Sequence, residues 1–381
     1  MVCSTLAESF FYRPGSYFKA FASRLSRKLG NVCAGSGGLT GCGKTQIALE
    51  FAYRFRDEYQ EIIWLRADSY KNLIQDILSV LEKIYHKKLS AQDLPQAIEL
   101  AERWLNQEQK RLLVLDGVKD LSLFKLFHPD AYTGHILMTC NTRVTDRACS
   151  FIHLVSVEDM DFEEGALMLL RYIESGGASQ CSLKDFSTEQ IAQAKLIVQE
   201  HWGLPLGIAQ AGAYIKETAC SLREYLLCYQ QHRHDLLHFH GQAMADPAPS
   251  VATAILRQAA VIERENPLAI TFIRLCATLT HYALPEELVI NTIPLLDPTV
   301  QTTKHSLLAF HAMLKSLIFV YFLRRDLKTR ALYLHPLVLD VLRAQMSVQQ
   351  CHHYTELAAR LVQHLPLLDR SGRYKGAAVK I

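Results

Sequence analysis

Residues 38–45 read GLTGCGKT, and this short stretch decides the fold class. The spacing matches the G-x-x-x-x-G-K-[ST] phosphate loop, in which glycines let successive backbone N–H groups point at one anion. In such a loop, Lys44 reaches the β- and γ-phosphates and the Thr45 hydroxyl binds Mg²⁺. The helix predicted from about Lys44 adds its positive N-terminal end. The pattern therefore predicts a nucleotide site whose loop glycines are Gly38, Gly41 and Gly43.

Besides Thr45, an acidic residue is needed to hold the magnesium shell, and Asp116 is the candidate. It ends the apolar run of residues 112–115, which is typical of a buried strand. The alternative interpretation is a helix N-cap aspartate after that strand. Together with the loop, the strand and its acid predict a metal-associated pair, Thr45 and Asp116.

Outward from these motifs, residues 31–157 alternate short apolar runs with helical patterns. Strand-sized runs separated by helices of this length predict an α/β P-loop domain with a mostly parallel sheet. The predicted strands are residues 61–65, 111–116, 135–139 and 152–155, with a short and poor strand at 31–34. The predicted helices are residues 46–55, 73–84 and 94–105.

Beyond residue 157 the strand signals stop, and residues 158–245 predict an all-helical domain. Residues 246–345 predict a winged-helix domain: helical segments, strand-like runs at 318–323 and 331–334, and a helix from Pro336, a residue suited to a first helical turn. Residues 346–381 predict one more helix and a tail.

Charge and composition exclude several classes of protein. Net charge is +3, but residues 1–30 hold five basic residues and one acid, so the remainder is close to neutral. That balance argues against nucleic acid as the main partner, because a phosphate-binding face needs clustered basic residues. The basic start predicts a poorly defined lead-in, with an organellar transit segment as the alternative.

No apolar run approaches the ~18 residues of a membrane span. Ten cysteines are scattered without a C-x-x-C pair, which indicates reduced thiols and a cytoplasmic location.

Three motifs in order resemble the NB-ARC domain of the signal-transducing ATPases with numerous domains (STAND): residues 38–51, residues 111–120, and the Gly-Leu-Pro-Leu sequence at 203–206. The closest resemblance is to the bacterial type that carries tetratricopeptide repeats. It implies a switch in which ADP holds a closed form and ATP permits oligomerisation. The chain ends where such repeats would begin, so we expect a truncated member.

The resemblance also assigns roles to single residues. Pro205 matches the proline that packs near adenine, Arg143 resembles the sensor arginine after the fourth strand, and His335 resembles the winged-helix histidine that contacts the β-phosphate of ADP. The acid that usually follows Asp116 and positions the attacking water is Gly117 here, so slow or absent hydrolysis is expected.

These observations predict a nucleotide-dependent switch that uses ADP or ATP with Mg²⁺ and has protein partners or self-oligomers in the ATP state, without a membrane. The alternatives are a true ATPase enzyme and a nucleotide-responsive DNA-binding regulator. The predicted recognition helix, residues 306–314, is almost entirely apolar, which argues against the regulator.

Overall fold

We describe a computed structural model of the chain, over residues 33–86, 94–105, 110–119, 134–140, 152–175, 181–241, 249–279, 283–300 and 303–363. The chain divides into two compact units, residues 1–187 and 188–381. The predicted lead-in at residues 1–30 lies outside the described residues. No described helix is both long and apolar enough to span a bilayer.

A parallel sheet forms the centre of the first unit. Among the described residues its strands are β1 (Cys33–Gly37), β2 (Glu61–Arg66), β3 (Arg111–Val118), β4 (His135–Cys140) and β5 (Ile152–Ser156). Their spatial order is β2-β3-β4-β1-β5, and each neighbouring pair is parallel. This confirms the predicted α/β class, and it brings the carboxyl ends of all five strands to one edge.

Helices cover both faces of this sheet: α1 (Lys44–Arg54), α2 (Tyr70–Tyr85) and α3 (Leu94–Leu105), followed in the chain by α4 (Phe162–Ser175). Side chains alternate between faces along a strand. Val114 and its same-face neighbours therefore pack against Phe51 of α1, whereas Leu113 and Leu115 pack against residues of α2 and α3. Short 3₁₀ turns at Arg56–Glu58 and Leu183–Asp185 complete the described elements.

The poor strand that the sequence places at residues 31–34 lies further along the chain. β1 spans Cys33–Gly37 and pairs with β4 on one side and β5 on the other. Glycine weakens a strand by itself, so the pattern near Gly35 and Gly37 is faint. Hydrogen-bonded ladders to β4 and β5 hold these residues extended, and the local sequence pattern does not reveal this pairing.

The second unit is mainly helical. Its helices are α5 (Thr188–Glu200), α6 (Pro205–Thr218), α7 (Leu222–His238), α8 (Val251–Glu265), α9 (Pro267–Thr278), α10 (Glu286–Leu296), α11 (Thr303–Phe319), α12 (Pro336–Gln345) and α13 (Val348–Gln363). Helices occupy most of the described part of residues 158–245, and the bounds of the predicted helical domain stay a prediction.

A small antiparallel sheet, in the order β6-β8-β7, lies among the later helices of this unit. Its strands are β6 (Ala283–Pro285), β7 (Leu323–Asp326) and β8 (Ala331–Leu334). Glu286, which begins α10, has a side chain only 3% exposed and pairs with Arg325 of β7 through Nε–Oε1 and Nη2–Oε2 contacts of 2.5 and 2.7 Å. This ion pair ties the hairpin to α10.

The predicted strand at 318–323 is wrong. Residues 318 and 319 end α11, Tyr321 adopts a left-handed conformation with φ +63°, and β7 begins at Leu323. A continuous apolar run has no period, so a buried helix end cannot be told from a strand. The predictions of a strand at 331–334 and a helix from Pro336 are confirmed.

Candidate nucleotide-binding site

The loop of residues 38–43 joins the carboxyl end of β1 to the first residue of α1. Gly41 and Gly43 have φ values of +86° and +89°, a region that glycine enters without penalty. Gly43 is the N-cap of α1; no side chain caps it and the first turn contains no acid. A helix N-terminus left to its backbone N–H groups attracts anions. The loop therefore has the features of a phosphate cradle.

Gly38 is fixed by a close approach rather than by its backbone angles. A Cβ atom at this position would lie 2.6 Å from Cys42 Sγ and 2.7 Å from the carbonyl oxygen of Val157. Both distances are shorter than van der Waals contact, and the second partner is backbone. Any side chain at position 38 would displace the loop.

Lys44 lies inside the loop it follows. Its side chain is 6% exposed, and Nζ donates to the carbonyl oxygens of Gly38 and Leu39 at 2.9 and 2.8 Å. A third contact, at 3.5 Å, reaches Cys42 Sγ. The ammonium group is thus held at the centre of the loop, where a bound phosphate would meet it.

Thr45 and Asp116 are brought together by the sheet, as the sequence predicts. The Thr45 hydroxyl donates to Asp116 Oδ1 at 2.9 Å, across 71 residues of chain. The same oxygen accepts a 2.5 Å bond from the Thr139 hydroxyl at the end of β4. The Gly117 N–H in turn donates to the Thr139 oxygen at 2.8 Å. Asp116 is therefore oriented from two sides, and Thr139 is a residue of the site that sequence reasoning missed.

The surroundings of Asp116 shift the pKa of its carboxyl group. Burial raises the pKa of its carboxyl above the ordinary value, while the hydrogen bonds from Thr139 and Thr45 and the charge of Lys44 act in the opposite direction. The charge of Asp68 adds to the upward shift. A largely buried carboxylate beside a threonine hydroxyl suits a divalent cation, which would favour the ionised form.

Asp68 is a second residue that the sequence reading missed. It follows β2, the neighbour of β3, and so lies at the same carboxyl edge as Asp116. An acidic residue just past a predicted strand end is a signal that could have identified Asp68. Such residues can be assigned to one site only when the order of the strands in the sheet is known.

Pro205 lies in the second unit as the first residue of α6, and it is buried. The turn before it is closed by Gly203, with φ +70°, whose N–H donates to the carbonyl of Val198.

His201, four residues before Pro205, is 1% exposed and its Nε2 lies 2.8 Å from the Tyr225 hydroxyl. Burial, and secondly the charge of Arg233, lowers the pKa of His201 to about 3, so this imidazole is neutral.

His335 is the half-buried N-cap of α12, immediately after β8. Its N–H donates to the carbonyl of Phe322 at 3.2 Å, and its carbonyl accepts from the Val338 N–H. The ligand contacts that the resemblance assigns to Pro205 and His335 stay predictions. Arg143 lies outside the described residues.

The chain is similar to a known protein over part of its length. No family model matches the chain. A nucleotide-binding leucine-rich repeat (NLR)-like protein of Hyaloscypha variabilis is 27% identical over 280 residues, which cover 65% of this chain and 27% of the relative. The chain therefore spans about a quarter of that relative's length.

Two solved structures show limited similarity. A STAND protein with a tetratricopeptide repeat sensor from Pyrococcus horikoshii matches at 13% identity and a TM-score of 0.35, over 93% of this chain and 46% of its own. AMPPCP-bound DnaA from Aquifex aeolicus matches at 16% identity and a TM-score of 0.37, over 67% and 81% of the two chains. Scores of this size do not define a shared overall fold.

Proposed function

We propose that the chain is a nucleotide-dependent switch of the NB-ARC type that binds ADP or ATP with Mg²⁺ at the 38–45 loop. The observation that carries the proposal is the hydrogen bond between Thr45 and Asp116. It pairs the last residue of a phosphate-loop motif with the acid of β3, which lies two strands from β1 in the same sheet, the combination that a magnesium nucleotide requires. The similarity to a nucleotide-binding NLR-like protein supports the same assignment.

Each polar group of the loop has a defined task in this proposal. The N–H groups at the start of α1 bind phosphate oxygens, and Lys44 exchanges one of its carbonyl partners for a β- or γ-phosphate oxygen. Thr45 and Asp116 hold the magnesium shell, with Thr139 orienting the carboxylate. Bound Mg²⁺ would neutralise the charge on the β- and γ-phosphates.

We further propose that residues 246–345 form a winged-helix domain of this switch. The order of elements supports it: helix α9, strand β6, helices α10 and α11, and the β7–β8 hairpin. The exposed residues described on α11 are His305, Leu307, Leu308, His311, Ala312, Lys315 and Phe319, among which Lys315 is the one lysine or arginine. A face with few basic groups favours protein partners over DNA.

Slow hydrolysis belongs to the proposal because β3 offers no second acid. Gly117 occupies the position after Asp116 and can neither orient water nor accept its proton. A slow turnover suits a switch, since the bound state then lasts long enough to be read. Turnover well above one per minute without a partner would instead favour the true ATPase.

The direct experiment denatures the purified chain and identifies the released nucleotide by chromatography. Calorimetry with ATP and ADP then compares wild type with Lys44→Ala, and with Lys83→Ala, an exposed lysine near the end of α2, as the matched control. Lys44→Ala should lose measurable affinity while Lys83→Ala keeps it. Micromolar ATP binding by a folded Lys44→Ala protein would refute the site.

A further inference from the structure

We propose that Asp68 positions the water that attacks ATP. It would act in place of the acid that is absent at position 117, where this chain has glycine. The inference rests on the proposed function and deepens it: the switch would hydrolyse ATP through a carboxylate from β2, the strand beside the one that holds Asp116. Asp68 is exposed, so it has access to solvent water.

The sheet places Asp68 next to the metal-associated acid. Arg66 at the end of β2 pairs in register with Asp116 of β3, and the N–H of Ala67 donates to the Asp116 carbonyl at 2.7 Å. Asp68 is the following residue. Its charge also reaches the Asp116 carboxyl, where it contributes to the raised pKa.

The geometry at Gly117 shows that Asp68 lies close to this position. A Cβ atom added at position 117 would lie 3.3 Å from the Cβ of Asp68, with the backbone of Asp68 at 3.8 Å. Gly117 has φ +79° and lies where the β3–β4 register shifts. A side chain at position 117 would therefore lie against Asp68.

Asp116 is already committed to other partners. Its Oδ1 accepts from both Thr45 and Thr139, which directs it at the magnesium position rather than at water. Asp68 is held differently: Asn72 Nδ2 donates to its Oδ1 at 2.8 Å. Asn72 is itself fixed near the start of α2, because its N–H donates to the N-cap oxygen of Ser69. Asn72 is thus a positioning residue for Asp68.

The proposed step is balanced with water alone. A water molecule that hydrogen-bonds to the Asp68 carboxylate attacks the γ-phosphorus, and the bond from that phosphorus to the β–γ bridging oxygen breaks. The bridging oxygen leaves on ADP with its electron pair. The water proton passes to Asp68 and then to solvent, and inorganic phosphate is released.

The test is single-turnover hydrolysis of ATP with Mg²⁺ by the full chain, together with the Kd for ATP. Asp68→Asn should reduce the rate by about 10²–10⁴-fold, the usual contribution of a positioned base, with the Kd changed less than about threefold. Asp68→Glu should recover part of the rate. Asn72→Ala should lower the rate severalfold without changing the Kd. Asp57→Asn, the same change before β2 at the opposite edge of the sheet, is the matched control.

Each contrary outcome has a separate meaning. An unchanged rate in Asp68→Asn, or a wild type that binds ATP and never hydrolyses it, would overturn the inference and leave the switch intact. A loss of Mg²⁺-dependent affinity in place of rate would make Asp68 a metal ligand and equally overturn it. Failure of the wild type to bind nucleotide at all would overturn the proposed function and this inference with it.

Discussion

Thr139→Val is the substitution that tests the geometry of the site most sharply. Valine keeps the shape of the side chain, which is 2% exposed, and removes only the hydroxyl. Two hydrogen bonds are lost together: the one donated to Asp116 and the one accepted from the Gly117 N–H. We expect both stability and magnesium-nucleotide affinity to fall.

The magnitude follows from these two bonds. A hydrogen bond to a charged group contributes about 1.5–3 kcal/mol, and a buried N–H left unpaired costs about 1–3 kcal/mol. Gly117 is only half-buried, so its N–H can find water and its cost lies at the lower end. A buried methyl group in place of the hydroxyl returns about 1 kcal/mol. The net loss in unfolding free energy of the first unit should be about 1.5–3 kcal/mol.

The assay is urea unfolding followed by tryptophan fluorescence in a Trp202→Phe background. Of the three tryptophans, Trp64 and Trp104 lie in the first unit, so the signal then reports that unit alone. Calorimetry should show weaker binding of ATP with Mg²⁺ and little change for ADP in EDTA. Thr139→Ser keeps the hydroxyl and serves as the control. A Thr139→Val protein within about 0.5 kcal/mol of wild type and equal in Mg²⁺–ATP affinity would contradict the argument.

Three further changes probe other parts of the chain. Gly38→Ala should abolish nucleotide binding and cost about 1–3 kcal/mol, because its Cβ would overlap Cys42 and a backbone oxygen; calorimetry that finds wild-type affinity would refute the close approach. In the unfolded chain His201 takes up a proton below its ordinary pKa of 6.5, whereas in the native state its pKa is about 3. Native stability is therefore lost as the pH falls from about 6.5 towards 3. From pH 7 to 5, Trp202 fluorescence in urea should show a loss about 2 kcal/mol larger in wild type than in His201→Gln, and equal losses would argue against a buried neutral imidazole. Arg325→Met leaves the buried Glu286 carboxylate without its ion-pair partner and should lower the free energy of unfolding by about 2–4 kcal/mol. The Arg325→Met/Glu286→Gln double variant should recover most of this loss. A loss that is not recovered would mean that other groups take part in the interaction.

The sequence predicts the phosphate loop and the class of the sheet because both depend on local patterns. Lys44 and Thr45 follow from motif spacing, and the buried strand ending in Asp116 follows from its apolar run. The structure agrees with these predictions because burial on both faces of a parallel sheet leaves nearly continuous apolar strands.

What the sequence does not predict depends on which strands are neighbours. Thr139 and Asp68 join the site because β4 and β2 lie on either side of β3, and no spacing along the chain encodes that order. The misplaced strand at 318–323 has a different cause. A helix end and a strand start share one apolar run there, and a turn at residues 320–322, with Tyr321 in the left-handed region, separates them.

The pairing of Gly117 with Asp68 also constrains how this chain could change over generations. An acid installed after Asp116 would have to take a left-handed backbone conformation and press against the aspartate already present. An aspartate lost from position 68 would leave no carboxylate in that place. Either substitution made alone carries a cost: the first strains the backbone at position 117, and the second removes the carboxylate that we propose to position water. Descendants of this chain should therefore keep glycine and aspartate as a linked pair, even where the rest of the edge drifts.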